Sequence, residues 1–410
     1  MYIYFLLIRI ASLWNDKARR LLRGQRATLS LLQERLTKGH WVWFHASSVG
    51  EFEQGRPIME RLRRERPELK ILLTFFSPSG YELRKDWHGA DIITYLPFAT
   101  RRNARRFLNI VKPEKAVFIK YEFWPAYLKE LRKRGIATYS VASVFRPEQF
   151  FFRPIIGKPY LSLLHCFTHL LVQDEASKEL LAEHGVENVT VCGDPRFNRV
   201  AQIASEAKEI PLVDRFTSTD SFRNMMAEGR CTKILVAGST WVRDEELLNK
   251  YIVEHDDVRL VLVPHETDER HIQQIFRIFE GRYIRLSEAT LRNVDLYRVL
   301  VVDEVGMLSS IYRYATVAYI GGGFGKGIHN TLEAAAYGVP VVWGKNYKRF
   351  REAKGLIAAG AGFAVSNYAE LREALDNAFM NAAEAGKRAR EYVLSETDAA
   401  ERIYNMLFNV

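Results

Sequence analysis

Tyr319-Ile320-Gly321-Gly322-Gly323-Phe324-Gly325-Lys326-Gly327 runs into His329-Asn330-Thr331-Leu332-Glu333-Ala334-Ala335-Ala336-Tyr337-Gly338-Val339-Pro340. An apolar strand over 315–320 ends in glycines, and a helix is predicted to open at Thr331. Glycines let a ligand approach the backbone, and a helix N-terminus leaves N–H groups that favour a phosphate. Glu333 falls in the first turn, where one carboxylate can accept two hydroxyls of a sugar. Phosphate and ribose can thus be read together. Two common nucleotide motifs are absent: no GxGxxG occurs, and Gly325-Lys326 lacks both the earlier glycine and the following Ser/Thr of a P-loop. The bland alternative is an ordinary strand–loop–helix turn.

The same rhythm extends in both directions. Upstream, short apolar strands are predicted at Trp41–Ala46, Lys70–Phe76, Ile92–Leu96, Ala116–Ile119, Ala137–Val141 and Leu170–Val172, with amphipathic stretches between them. A second series comprises Lys233–Ala237, Val258–Val263, Tyr283–Arg285, Val299–Val302, Val317–Ile320, Val339–Val342 and Gly362–Val365. Strands separated by helices imply parallel sheets covered on both faces. The expectation is α/β, two doubly wound Rossmann-like domains facing a central cleft, with ligands at strand carboxyl ends. The boundaries are read as an N-terminal helix with a basic flank (1–38), a first domain (39–200), a polar linker (201–230), a second domain (231–385) and a C-terminal helix (386–410) packing back on the first.

The chain has 410 residues, 48% hydrophobic and 26% charged, enough for two or three cores. Its net charge of +10 points to an acidic partner, either nucleic acid or anionic lipid. Basic residues gather in 1–38, in Arg61-Leu62-Arg63-Arg64 and in Arg101-Arg102-Asn103-Ala104-Arg105-Arg106; solvated helix faces are the alternative for the last two. Cys166, Cys192 and Cys231 are scattered without metal spacing and read as packing residues in a reducing compartment. No zinc site is suggested.

Residues 1–14, MYIYFLLIRIASLW, are apolar apart from Arg9. A bilayer core takes about 20 residues to cross, so this run is too short. Its positive charge follows the apolar run instead of preceding it, which is not the order of a cleaved signal. The order fits a helix lying in the membrane interface with Lys17 to Arg26 on an anionic leaflet. A buried first helix is the alternative.

Candidate chemical groups fall at strand ends. His45-Ala46-Ser47-Ser48-Val49-Gly50-Glu51 follows the first strand, placing Glu51 either as a general base toward a hydroxyl or as a helix-start acid. Glu122 precedes Phe123-Trp124-Pro125, and Arg196 follows Gly193-Asp194-Pro195. A fixed cation at 196 can neutralise charge on a phosphate or carboxylate, and a structural salt bridge is the alternative for both residues. In the second half, Gly238-Ser239-Thr240, Pro264-His265 and Val305-Gly306-Met307 can grip a base and phosphate. No DxD-type acidic pair appears at a strand end, so a metal-bound diphosphate has no evident ligands.

Together these motifs resemble the 3-deoxy-D-manno-octulosonic acid (Kdo) transferases of lipopolysaccharide biosynthesis, glycosyltransferases of GT-B architecture. The likeness runs from about residue 40 to 370. It rests on Ser-Val-Gly-Glu (48–51), Glu-x-Trp-Pro (Glu122, Trp124, Pro125), Gly-x-x-[Lys/Arg]-Phe (193–197), Gly-Ser-Thr (238–240), Val-Pro-His (263–265) and His-Asn-x-Leu-Glu-x-Ala (329–335). The resemblance implies inverting transfer of Kdo from CMP-Kdo to a lipid A precursor, without a metal or cofactor. It implies an enzyme on the cytoplasmic side of the inner membrane that does not bind nucleic acid. It places the general base at Glu51, transition-state stabilisers at Glu122 and Arg196, and CMP contacts at Gly238, Ser239, Thr240, Pro264, His265, Val305, Gly306, Met307, Asn330, Thr331, Leu332 and Glu333. The family usually has Lys where Arg196 stands, and commonly His where Trp241 stands. The rivals are another GT-B transferase using a UDP-sugar or CMP-sialic acid, and a noncatalytic lipid- or nucleic-acid-binding protein. A dehydrogenase is disfavoured by the missing dinucleotide fingerprint.

Overall fold

A computed structural model describes residues 2–153, 157–218, 233–281 and 283–409. The chain divides into two compact units, Met1–Arg199 with Thr397–Val410, and Val200–Glu396. Each is built on one seven-stranded sheet, and every strand pair is parallel. The α/β, doubly wound fold of the GT-B class is thereby present in both halves.

In unit 1 the strands are β1 (His40–Ala46), β2 (Leu69–Phe75), β3 (Ile92–Tyr95), β4 (Lys115–Ile119), β5 (Ala137–Ser143), β6 (His169–Val172) and β7 (Val189–Val191). Their order is β3-β2-β1-β4-β5-β6-β7, so the chain reverses direction of winding between β1 and β4. A ligand crevice belongs at that switch point, beyond the carboxyl ends of the two strands. β1 is buried from Trp41 to Ala46 because helices cover both faces. Trp43, Phe107, Phe118 and Tyr127 fill one side, and Phe44, Phe52, Ile58 and Phe75 fill the other.

Unit 2 repeats the plan with β8 (Lys233–Thr240), β9 (Val258–Pro264), β10 (Tyr283–Arg285), β11 (Val299–Val301), β12 (Val317–Ile320), β13 (Val341–Gly344) and β14 (Gly362–Val365). The order β10-β11-β9-β8-β12-β13-β14 puts its switch point between β8 and β12.

Three boundaries differ from the sequence reading. The expected linker 201–230 begins as structure: Arg196–Glu206 and Pro211–Thr217 are helices. Val213 and Phe216 are buried, and Arg215 pairs with Asp295 at 2.8 Å, so a polar composition concealed a packed element. The rest of that expectation, 219–232, lies outside the described residues, as does Cys231. The expected C-terminal segment 386–410 splits at Glu396/Thr397. Helix Ala382–Ser395 stays in unit 2, whereas Ala399–Phe408 buries Ile403, Tyr404 and Leu407 in the unit 1 cluster containing Phe52 and Leu62. The basic flank of 1–38 is a helix, Asp16–Arg35, whose Leu21, Leu22 and Leu32 are buried and whose Thr28 hydroxyl donates to the Tyr95 carbonyl at 3.0 Å.

The first helix, Tyr2–Ala11, divides its faces. Phe5 packs on Phe98 with ring centroids 4.3 Å apart, while Leu7, Ile10, Leu13 and Trp14 stand exposed on the helix and the turn after it. No helix among the described residues is long and apolar enough to cross a membrane. Cys166 and Cys192 are free and buried, and burial pushes the Cys192 thiol up to about 11.

Candidate active site

The switch point of unit 1 gathers Glu51 and Glu122. β1 ends at Ala46, and Ser48 starts the helix Val49–Glu65 with a reciprocal capping box. The Glu51 carboxylate accepts from the Ser47 and Ser48 backbone N–H groups, and the Ser48 hydroxyl accepts from the Glu51 N–H. The helix-start reading is therefore realised. It does not exclude the other. Burial, and then the negative charge of Glu122, push Glu51 up to about 7, against the opposing pull of the Ser47 N–H and His45. A carboxylate that titrates near neutrality while held by two N–H groups has the proton affinity a base requires.

Glu122 arrives from the end of β4. There Lys120 takes a left-handed turn (φ 61°) whose N–H donates to the Val141 carbonyl at 2.8 Å and whose carbonyl accepts from the Ser143 hydroxyl at 2.8 Å. Non-glycine residues accept such a backbone where tertiary bonds enforce it. The Glu122 Oε2 atom lies 3.0 Å from His45 Nε2 and accepts from the Trp124 indole at 2.7 Å. His45 is fully buried, and its Nδ1 is 3.0 Å from the Thr74 carbonyl, so that nitrogen carries a proton and donates. The Trp43 indole donates to the Thr74 hydroxyl at 2.8 Å. Trp43, Thr74, His45, Glu122 and Trp124 thus form one continuous polar chain through an aromatic core.

From sequence alone His45 has no assigned role. Its signal was a polar residue at the last inward position of an otherwise apolar strand. Parallel pairing sets His45 opposite Thr74 on β2 and Phe118 on β4, which decides its partners.

Arg196 is held by Asp194, with Nε at 2.8 Å and Nη2 at 2.7 Å from Oδ2, and its backbone N–H donates to Oδ1 at 3.0 Å. Asp194 is buried, so the salt-bridge alternative is the observed geometry. The guanidinium is fixed in position by it.

In unit 2 the expected segments converge at the β8/β12 switch. Gly238 pairs with Ile320 across β8 and β12. A Cβ at Gly238 would stand 2.0 Å from the Tyr312 hydroxyl and 2.7 Å from Leu308, which brings the 305–308 loop against β8. A Cβ at Gly321 would stand 2.2 Å from the Ser239 carbonyl oxygen, so the two strand ends touch through backbone alone. Ser239 is left-handed (φ 54°) at a register shift in the β8/β9 pairing. Thr240 pairs with Pro264, accepts from His265 N–H at 3.0 Å through its carbonyl, and donates its hydroxyl to Glu245 at 3.0 Å.

His265 stacks between Trp241 (centroids 4.8 Å, 29°) and His329 (4.4 Å, 30°), and the Trp241 indole donates to His329 Nε2 at 3.3 Å. Burial and the neighbouring His265 lower the His329 pKa, keeping it the neutral acceptor that this bond needs. The three rings form a ledge able to stack a nucleobase. Asn330 donates to Glu333 at 2.8 Å and accepts from Leu332 N–H at 3.1 Å, while burial, and then the nearby Glu333 charge, raise the Tyr312 and Tyr337 phenols. Thr331 is buried and its hydroxyl has no hydrogen-bond partner among the described residues. Gly306 (φ 92°) turns the chain toward Leu308, with Met307 before it and Val305 exposed.

One expectation is corrected. The helix after the glycines opens at Leu332, with Thr331 as cap, and runs only to Ala335. One turn aligns few peptide dipoles, and Asn330 already takes one of its N–H groups. Phosphate binding there cannot rest on a helix dipole.

Comparison with known proteins agrees with these motifs. Residues 19–199 match the family described as 3-Deoxy-D-manno-octulosonic-acid transferase (kdotransferase). The chain is 28% identical over 343 residues to 3-deoxy-D-manno-octulosonic acid transferase of Aquifex aeolicus, covering 80% of this chain and 83% of that one. It is 26% identical over 381 residues to the protein of the same name from Haemophilus influenzae, covering 89% and 86%. UDP-GlcNAc 2-epimerase of Neisseria meningitidis shares the fold, with a TM-score of 0.62 and 12% identity over 90% of this chain and 100% of that one. Sequence motifs, the family match over residues 19–199 and relatives aligned over four-fifths or more of its length all point the same way: the chain is similar to the 3-deoxy-D-manno-octulosonic acid transferases.

Proposed function

We propose that this protein transfers Kdo from CMP-Kdo to a sugar hydroxyl of a lipid A precursor, with inversion and without a metal, at the cytoplasmic face of the inner membrane. The observation that carries the reading is Glu51: a half-buried carboxyl at a sheet switch point, raised to about 7 by burial and Glu122. Glu51 takes the acceptor hydroxyl proton. The resulting oxygen attacks the anomeric C2 of Kdo from the face opposite the nucleotide, and the bond from C2 to the phosphate oxygen breaks with its electron pair leaving on CMP. Glu122, oriented by His45 and Trp124, and Arg196, oriented by Asp194, are the groups proposed to stabilise charge in that transition state.

In unit 2 the Trp241–His265–His329 ledge supports a pyrimidine, and Glu333 supports ribose hydroxyls. Gly238, Ser239, Thr240, Pro264, Val305, Gly306, Met307, Asn330, Thr331 and Leu332 shape the walls. Metal independence is supported by the lack of a DxD-type acidic pair at a strand end. The exposed apolar residues 7, 10, 13 and 14 support a lipid acceptor reached from a membrane surface.

The test is incubation with CMP-Kdo and a tetraacyl lipid A precursor, with the product weighed by mass spectrometry. A mass increment of one or more Kdo residues is expected. Donor consumption with UDP-sugars or CMP-sialic acid, but none with CMP-Kdo, would replace the donor. Consumption of none of them would leave a noncatalytic lipid-binding protein.

A further inference from the structure

Along the carboxyl edge of the unit 2 sheet, beyond Gly238 and Gly321, lies a second concavity of about 720 Å³. Lys326, Lys345, Lys348 and Arg349 line it together with Tyr347 and Ser366, and no carboxylate is among its lining residues. Lys326 belongs to the glycine loop after β12, Lys345 directly follows β13, and Ser366 directly follows β14. Three neighbouring strand ends therefore deliver cations and donors to one hollow. That edge is where doubly wound sheets bind their ligands.

The hollow is built, not accidental. Asn346 ties its two walls together, donating from its backbone to the Gly323 carbonyl at 2.9 Å and from its side chain to the Gly325 carbonyl at 2.8 Å. Arg349 reaches across to the Lys326 carbonyl at 2.5 Å. Gly327 sits at φ 137°, a backbone that residues with a side chain rarely adopt, and a Cβ there would stand 2.6 Å from the Arg349 guanidinium and 3.1 Å from Phe350. Among the described residues Lys326, Lys345 and Lys348 have no ion-pair partner. Like charges held together without a counter-charge repel, and an oxyanion relieves that repulsion. The one-turn helix at Leu332–Ala335 supplies little of this charge.

We propose that this pocket is an oxyanion subsite that receives a carboxylate or phosphate group of the sugar substrate. The assignment to a sugar substrate rests on the proposed function; the anion chemistry does not. Lys345 and Lys348 supply the charge, and Ser366 and Tyr347 supply neutral hydroxyls.

Titration calorimetry on the full chain tests this with three probes: free Kdo, inorganic phosphate and CMP. CMP is expected to bind the wild type and Lys345→Gln/Lys348→Gln alike. Free Kdo, inorganic phosphate or both should bind the variant about tenfold more weakly, as expected when two charge-assisted contacts are lost. Binding of Kdo alone assigns the pocket to a sugar carboxylate, and of phosphate alone to a phosphorylated substrate. Lys345→Arg/Lys348→Arg should retain binding, which separates lost charge from a damaged fold. Absence of both anions from the wild type, or equal affinity in the Gln variant, overturns the subsite. If no Kdo transfer is found yet the phosphate difference persists, the functional reading fails and the subsite stands.

Discussion

The charge on Glu122 raises the proton affinity of Glu51, while His45, 3.0 Å from Glu122, pulls that affinity the other way. The three residues come from the ends of β1 and β4 and from the helix start between them. Burial first, and then this opposition, set a carboxyl near 7 instead of the ordinary 4.5. Each member of the trio can be removed separately, and the pH dependence of the reaction responds in a direction fixed by the sign of its charge.

Glu51→Gln should abolish transfer and spare donor binding. Removing a general base costs about 10²- to 10⁴-fold in rate. In the wild type, kcat/KM should rise with pH and reach half its plateau at about 7. Near-normal turnover in the Gln variant removes Glu51 as base.

Glu122→Gln should move that midpoint to lower pH, because the charge that raises Glu51 is gone. His45→Ala should move it higher, because the charge that lowers Glu51 is gone, and it also deletes one hydrogen bond of Glu122 and one of Thr74, which keep the Trp124 and Trp43 indoles. A hydrogen bond to a charged group contributes about 1.5–3 kcal/mol, a loss measurable by urea unfolding. Midpoints moving in the same direction in both variants contradict this electrostatic arrangement.

Stability should carry the same signature. Glu51 binds its proton more tightly in the folded chain than in the unfolded one. Its contribution is therefore fully present below about 4.5 and is lost as pH rises through about 7. Glu51→Gln keeps an acceptor for the capping box and removes the buried charge. Its melting temperature should exceed the wild type's at high pH, by the equivalent of roughly 3 kcal/mol at one pKa unit per 1.36 kcal/mol, and match it in mild acid.

How much of this was readable beforehand depended on whether a residue's role was local. Strand positions were legible because a parallel strand covered on both faces is an apolar run of fixed length. Tyr283–Arg285 and Gly362–Val365 were placed residue for residue. Val339–Val342 was placed two residues early, since Pro340 leads into β13 and the pairing starts at Val341. The partition of Glu51 between cap and base was not legible: the cap is local, but the raised proton affinity needs Glu122, brought alongside by the β1/β4 pairing. His45 was hidden for the same reason, its partners lying 29 and 77 residues away. The helix at Pro211–Thr217 was hidden because one turn or two with Val213 and Phe216 as anchors is too short to show a period.

Gly238→Ala tests the close packing at the unit 2 switch. The added carbon would meet the Tyr312 hydroxyl at 2.0 Å in a fully buried position. Overpacking of this kind costs about 1–3 kcal/mol. Gly238→Ala/Tyr312→Phe removes the obstructing oxygen and should recover part of the loss in both melting temperature and CMP affinity. Additive effects in the double variant rule out this contact as the cause.

Membrane association makes the last prediction. Helix Tyr2–Ala11 anchors Phe5 against Phe98 and leaves Leu7 and Ile10 exposed, with Leu13 and Trp14 following at 67% and 78% exposure. That arrangement lets the outer apolar face enter a bilayer without dismantling the inner one. The following helix adds Lys17, Arg19, Arg20 and Arg23, of which Arg19 and Arg20 pair with Asp16. Sedimentation with vesicles containing anionic lipid should capture the wild type, and rising salt should weaken capture by screening the basic helix. Leu13→Asp/Trp14→Asp removes two side chains worth about 1.5–3 kcal/mol each when buried, so capture should fall by at least about tenfold while turnover on a detergent-dispersed acceptor is kept. Equal capture of the variant shows that these residues do not meet the membrane, and loss of turnover in detergent shows that they serve the fold instead.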